Sequence, residues 1–254
     1  MSVTRRALKV MNDRKTEMQL SVVIPVYNEE DNLGELSDRL FAAIAPLSQP
    51  FELIFIDDGS SDQSAEVIRQ LGIQHSEIRL LQFEQNSGQT SALDAGFRAA
   101  RGEQVVMIDS DLQNDPADIP LLLKHLQDHD MVAGKRVKRN DPWIRLVSTR
   151  IANGIRNWVS GEDITDSACG LKAFRREVIE RLKLYDGLHR FLPTLARIEG
   201  FSVIEVPVSH HPRKKGKAKY NIRNRAFRAL IDLFAVTWMK KRHLKYRIIE
   251  ENQQ

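Results

Sequence analysis

The 254-residue chain contains one cysteine, Cys169. No intrachain disulfide can form from it and no multi-cysteine zinc site can be built, which suits a reducing compartment. No apolar run approaches the ~18 residues of a membrane-spanning helix. Residues 1–18 are polar and basic, without the apolar centre of a secretory signal. The expected location is therefore cytoplasmic. What remains, 42% apolar and 28% charged residues, is an ordinary globular composition with enough length to bury a sizeable core.

Negative charge is nearly absent from one region. Between Pro212 and Arg247 there are thirteen Lys or Arg and a single acid, Asp232, a local balance of +12 in a chain whose net charge is +4. The rest of the chain is therefore acidic, at −8. An acidic body with a basic end calls for a polyanionic partner. The basic end has few interleaved aromatics, Tyr220 and Phe227, and no nucleic-acid recognition motif, so a nucleic acid is not the expected partner. A membrane surface or a phosphorylated substrate remains.

Short runs that are apolar on both faces recur at Leu20–Val26, Phe51–Asp57, Ile78–Phe83 and Gln104–Asp109. Such runs are what buried parallel strands require. Helical spacing separates them: Leu33, Leu36, Leu40, Phe41, Ile44 and Leu47, then Ala65, Val67, Ile68 and Leu71. Ser91–Ala100 reads as a small-residue helix able to pack closely on a sheet. The alternation predicts an α/β fold with an open, doubly wound, mostly parallel sheet. Further on, the pattern predicts a helix from Pro116 to about Gln127, a short strand at Asp130–Arg136, a helix over Trp143–Val159, a strand or turn at Cys169–Arg176, a helix over His189–Phe201 and a last strand at Ser202–His210.

Ligands of open α/β sheets sit at the carboxyl ends of the strands. Four polar clusters fall there: Pro25-Val26-Tyr27-Asn28-Glu29, Asp57-Asp58-Gly59-Ser60, Asn86-Ser87-Gly88-Gln89 and Asp109-Ser110-Asp111-Leu112-Gln113. Asp109 and Asp111, two residues apart at a strand end, point to one side. Close carboxylates repel, and a divalent cation relieves that repulsion; hard oxygen ligands select Mg²⁺ or Mn²⁺, which commonly share ligands with a diphosphate. Gln113 could add an amide oxygen. Gly88 and Gln89 open a helix, where backbone N–H groups favour a phosphate or simply take a cap. Ser61 or Asp62 can cap the helix after the second strand.

The four clusters, VVIPVYNEE, IDDGSSDQS, NSGQTSALDAGF and IDSDLQNDP, resemble the nucleotide-sugar-binding domain of family 2 glycosyltransferases, which have the GT-A fold. The DSDLQ form, NSGQTSAL, DSACGLKAFRREV and the stretch from DGLHRFLP through HHPR to KGKAKYN resemble dolichol- and polyprenol-phosphate sugar synthases within that family. The resemblance covers about 20–221. It implies transfer of one sugar, with inversion, from a nucleotide sugar such as GDP-mannose or a UDP-hexose to a polyprenyl phosphate. It also implies roles: Pro25, Tyr27 and Glu29 line the base and ribose pocket, Asp57 or Asp58 holds base or ribose, and Gln89 and Ser110 lie near the donor. Asp109, Asp111 and Gln113 match the metal-diphosphate motif. Arg213, Lys219 and Tyr220 match a basic loop that closes over the site. Arg136 and Arg150 match acceptor-phosphate ligands more loosely.

A phosphate monoester is already ionised near neutral pH and needs charge clamps more than a general base. If the acceptor were instead a saccharide hydroxyl of a cell-envelope glycan, Asp166 is the best carboxylate to serve as base. His189, His210 and His211 read as surface or loop residues, since neighbouring side chains on a strand point apart. Cys169 reads as a small core residue.

In the basic end, Phe227, Leu230, Ile231, Phe234 and Trp238 recur at helical spacing between Arg and Lys clusters. An interfacial helix on the inner face of a membrane and a helix packed on the core both need such a stripe. The expected organisation is a leader over 1–18, a glycosyltransferase domain over 19–212 and a basic loop with a membrane-associating helix over 213–254.

Overall fold

The structure is a computed structural model that describes residues 18–137, 164–212 and 222–244. Seven strands form one sheet: β1 (Leu20–Val26), β2 (Phe51–Asp57), β3 (Ile78–Gln82), β4 (Gln104–Met107), β5 (Met131–Arg136), β6 (Lys172–Arg175) and β7 (Val203–Val208). Their spatial order is β3-β2-β1-β4-β6-β5-β7. β6 pairs antiparallel with both neighbours, and every other pairing is parallel, so β6 alone is reversed. The described helices are α1 (Glu30–Ile44), α2 (Ser64–Gln74), α3 (Gln89–Ala99), α4 (Ile119–His125), α5 (Arg176–Arg181), α6 (Leu192–Ile198) and α7 (Ile222–Arg242).

The apolar runs are continuous because each strand feeds a core on both faces. Val22, Ile24, Val26, Leu53 and Phe55 join Leu33, Leu36, Leu40 and Ile68 from α1 and α2. The alternate residues Val23, Ile54 and Ile56 join Ala92, Leu93 and Phe97 of α3, with Val178, Leu192 and Leu195 from α5 and α6. The close approach expected of the small-residue helix is there: a Cβ added at Gly96 would run into the side chains of Val23 and Ile56. β4 ends two residues earlier than the apolar run suggests. Ile108 N–H still reaches Val23 O at 3.1 Å, and the chain then leaves the sheet at Asp109.

The helix expected from Pro116 starts as a 3₁₀ turn over Pro116–Asp118 and becomes α4. α7 turns opposite sides to the core and to solvent. Leu233 and Val236 are buried and Asp232 lies 3.6 Å from Arg190. Ile231, Phe234 and Trp238, about half a turn away at 100° per residue, are 53%, 72% and 64% exposed. Among the described residues, no helix is long and apolar enough to cross a membrane. The expected leader, the helix over Trp143–Val159, and Arg150, Arg213, Lys219 and Tyr220 lie outside the described residues.

Candidate active site

The parallel strands β1, β2, β3 and β4 all deliver their carboxyl ends to one rim. There the β1 and β2 loops are stitched together. Asn28 N–H donates to Ser60 Oγ at 2.9 Å, Glu29 N–H to Ser64 Oγ at 2.9 Å and Glu30 N–H to Asp62 Oδ2 at 3.2 Å. Asn28 takes a positive φ of 52° and accepts Ser61 N–H at 2.7 Å. Of the two capping residues expected here, Asp62 bonds Ser64 N–H at 2.9 Å in the first turn of α2, while Ser61 serves the β1 loop instead. Glu29 is buried, with Asn32 Nδ2 on its Oε2 at 2.6 Å, and Tyr27 beside it is half-buried.

Asp57 and Asp58 are both buried but do different work. Asp58 organises the β3 loop: its Oδ1 accepts Ser87 N–H at 2.7 Å, and its Oδ2 accepts Gly88 N–H at 2.9 Å and Asn86 Nδ2 at 3.0 Å. Burial pushes its carboxyl up from the usual range, against the pull of the Ser87 and Gly88 N–H groups, with Asp57 adding to the rise. Asp57 spends Oδ1 on Ser60 N–H at 3.2 Å. Its Oδ2 is buried with no hydrogen-bond partner among the described residues. Gly59 makes the turn, with φ of 65° and no room for a Cβ against the Gln85–Asn86 backbone.

Asp109 is gripped from two sides. Gln89 Nε2, at the first turn of α3, donates to its Oδ1 at 2.9 Å. On the other side stands Gly170, where an added Cβ would overlap the Asp109 carboxylate and crowd Asn114 Oδ1. Asp111 is half-buried and its Oδ1 accepts Gln113 N–H at 3.1 Å. Leu112, between Asp111 and Gln113, has φ of 60° and is buried, so it anchors the loop.

Two further segments close on this loop. Arg136, at the end of β5, meets Asp166: Nε to Oδ2 at 2.7 Å and Nη2 to Oδ1 at 2.6 Å. The segment after β7 pairs with the acidic loop through an Asn114–His210 bridge, His211 N–H to Gln113 O at 2.8 Å and His211 Nε2 to Asp115 Oδ2 at 3.0 Å. Burial works to raise the Asp115 carboxyl, but the Ala117 N–H and His211 outweigh it and hold it below the usual range. His211 thus ties this segment to the acidic loop through both its backbone and its side chain. His189 bonds Thr90 Oγ1 through Nδ1 at 2.7 Å beside the α3 N-terminus.

Residues 21–183 match the family described as glycosyl transferase family 2. The chain belongs to that family. It is 34% identical over 247 residues to a dodecaprenyl-phosphate galacturonate synthase of Rhizobium johnstonii, covering 95% of this chain and 73% of that protein. It is 39% identical over 214 residues to an undecaprenyl-phosphate 4-deoxy-4-formamido-L-arabinose transferase of Edwardsiella ictaluri, covering 84% of this chain and 66% of the relative. Among solved structures, a mannosyltransferase of Pyrobaculum calidifontis in complex with GDP-mannose and Mn²⁺ superposes with a TM-score of 0.63 at 23% identity, over 87% of this chain and 64% of that one. A glucosyl-3-phosphoglycerate synthase of Mycobacterium tuberculosis with Mn²⁺, UDP and glucosyl-3-phosphoglycerate gives 0.65 at 22% identity, over 90% and 81%. The fold of this family 2 chain is thus the GT-A arrangement that its strand ends suggested.

Asp109 and Asp111 offer hard oxygen donors of the kind that Mg²⁺ or Mn²⁺ takes. Among the described residues no group of three or more His, Cys, Asp or Glu could hold an ion. Two carboxylates that leave most of the coordination sphere to phosphate and water suit these ions, so the residues fit a divalent cation that arrives with its substrate.

Three residues at or behind the Asp109 carboxylate are not among those that sequence patterns single out: Gly170, Asn114 and Lys172, whose Nζ donates to the Cys169 carbonyl. A signal for Lys172 is present, as a lone charge inside the apolar stretch LKAF. The contacts of Gly170 and Asn114 depend on a sheet pairing that no local pattern announces.

Proposed function

We propose that this family 2 glycosyltransferase moves one sugar from a nucleotide sugar to a polyprenyl phosphate at the membrane surface, with inversion. An acceptor phosphate oxygen attacks the anomeric carbon. The bond to the diphosphate oxygen breaks, and its electron pair leaves with the nucleoside diphosphate. Tyr27, Pro25 and Glu29 line the base and ribose. Asp57 Oδ2 supplies the acceptor for an N–H of the base, since of the four Asp57 and Asp58 carboxylate oxygens it is the one that lacks a donor among the described residues. Asp58 acts one step back, by holding the loop that leads to Gln89. Gln89 and Ser110 flank the donor, and Asp109, Asp111 and Gln113 face its diphosphate. Bound there, Mg²⁺ or Mn²⁺ would neutralise charge on the leaving diphosphate.

One observation favours a phosphate over a hydroxyl acceptor. Asp166, the best placed base in the sequence, is 6% exposed, and both its oxygens face Arg136. A carboxylate so paired is a weak base, whereas a phosphate monoester needs none. Arg150, Arg213 and Lys219 supply the remaining charge for the acceptor and Tyr220 a hydroxyl donor, with Arg136 shared between Asp166 and the site. Similarity to two polyprenyl-phosphate sugar transferases supports the same acceptor class.

The exposed Ile231, Phe234 and Trp238, with Lys240, Lys241 and Arg242 after them, form an interfacial surface that brings the rim to the lipid. The test is a transfer assay with Mn²⁺, GDP-mannose or UDP-hexoses, and an undecaprenyl phosphate in detergent. A lipid-linked sugar is the expected product. Transfer to a saccharide hydroxyl, with none to the lipid phosphate, would overturn the proposal.

A further inference from the structure

A lysine in the middle of a sheet is costly, because its ammonium must leave water. Lys172 is 2% exposed. It stands on β6 directly opposite Met107 of β4, two residues before Asp109. Its Nζ donates to the carbonyl of Cys169. Burial pulls the Lys172 ammonium below its ordinary range, while the fields of Cys169, Asp109 and Asp166 favour its charge and Arg136 opposes it.

The carbonyl that Lys172 holds belongs to the turn that presses on Asp109. Cys169 N–H bonds Asp166 O at 3.2 Å, closing the turn, and Asn114 Nδ2 meets Cys169 Sγ at 3.5 Å. The next residue, Gly170, is packed so tightly on the Asp109 carboxylate that no side chain fits. Gln89 holds the other oxygen of the same carboxylate.

We infer that Lys172 is a positioning residue for Asp109: by holding the Cys169 carbonyl it fixes the Cys169–Gly170 turn that sets the carboxylate facing the donor diphosphate. This rests on the proposed function. A lysine that merely filled core space would be replaced by an apolar side chain of like length without cost to the site. A lysine that positions Asp109 would not, since outer contacts of this kind typically change metal affinity or activity by about 10- to 100-fold.

The test compares full-length Lys172→Met, Lys172→Gln and Gly170→Ala with wild type. Mn²⁺ binding in the presence of UDP or GDP is read by electron paramagnetic resonance, and folding by circular dichroism. Turnover is measured with lipid phosphate. Lys172→Met is expected to stay folded, to weaken Mn²⁺ binding by at least ~10-fold and to lower kcat by a similar factor, with the KM for lipid within ~2-fold. Lys172→Gln, which keeps a donor, recovers part of both losses. A folded Lys172→Met with wild-type Mn²⁺ affinity and kcat overturns the inference alone. If Lys172→Met does not fold, Lys172→Gln decides: weakened Mn²⁺ binding supports the inference and unchanged binding overturns it, while Gly170→Ala, which crowds Asp109 directly, overturns it by leaving binding unchanged. A wild-type protein that binds no Mn²⁺ with either nucleotide overturns the proposed function and, with it, this inference.

Discussion

Arg136 and Asp166 form a two-pronged ion pair, with bonds of 2.7 Å and 2.6 Å between side chains 15% and 8% exposed. Breaking such a pair strands a buried charge, at a cost of about 3–5 kcal/mol. Arg136→Ala is therefore expected to lower the melting temperature by roughly 6 °C or more, since each kcal/mol moves a chain of this size by about 2–4 °C. Calorimetry would show it. Asp166→Asn is expected to reduce kcat by less than ~100-fold, the scale of a missing general base. A larger loss in a folded Asp166→Asn protein points to a hydroxyl acceptor.

Asp111→Ala removes a half-buried carboxylate at the rim, and Asp109→Ala one held between Gln89 and Gly170. Both proteins should fold, with Asp111→Ala melting close to wild type, and both should lose transfer by at least ~10²-fold. Activity independent of Mn²⁺ in the double substitution would refute the assignment of these acids to the cation.

The Asp115–His211 contact implies a dependence on pH. The folded Asp115 carboxyl sits below its ordinary value of 3.8, held there by Ala117 and His211 against the opposing effect of burial. Its contribution to stability is thus fully present above pH 3.8 and is lost as pH falls through the lower folded value. Asp115→Asn should cost about 1 kcal/mol near neutrality. The gap to wild type should close on acidification below the ordinary carboxylate range. A gap that stays constant from neutral pH down to that range would show the contact to be inert.

The two sides of α7 should separate cleanly. Replacing Ile231, Phe234 and Trp238 by Ser touches exposed residues only, and is expected to abolish sedimentation with anionic vesicles while leaving the melting temperature nearly unchanged. Leu233→Ala, on the buried side, is expected to cost about 2–5 kcal/mol. Vesicle binding that survives the triple substitution would remove the interfacial role.

Much of the donor half is legible in the sequence because it is local. An apolar run, a polar cluster and a helical stripe repeat within about forty residues, and in a parallel sheet each strand end must reach the same rim. Gln89 and Asp109 therefore meet at that rim, and Asp57 ends the strand beside it. Asp57 and Asp58 look equivalent in sequence because their different tasks depend on where the Asn86–Gly88 loop folds back. The acceptor side is less legible. In sequence Arg136 and Asp166 suggest a separate acceptor ligand and base, thirty residues apart, and only the β5–β6 pairing makes them partners. The α7 stripe is legible too, but helical spacing cannot say which of two apolar sides meets protein.

The reversal of β6 has an architectural effect. A strand that runs with its neighbours gives the rim only its outgoing loop. β6 gives the rim its incoming loop, the Asp166–Gly170 turn, and sends Arg176 to the opposite floor, where its side chain bonds the carbonyls of Ala100 and Gly102. The loop ahead of β6 thus reaches the rim without altering the register of β1, β2 and β3. One backward strand brings a loop to the rim from its start, where six forward strands bring theirs from their ends.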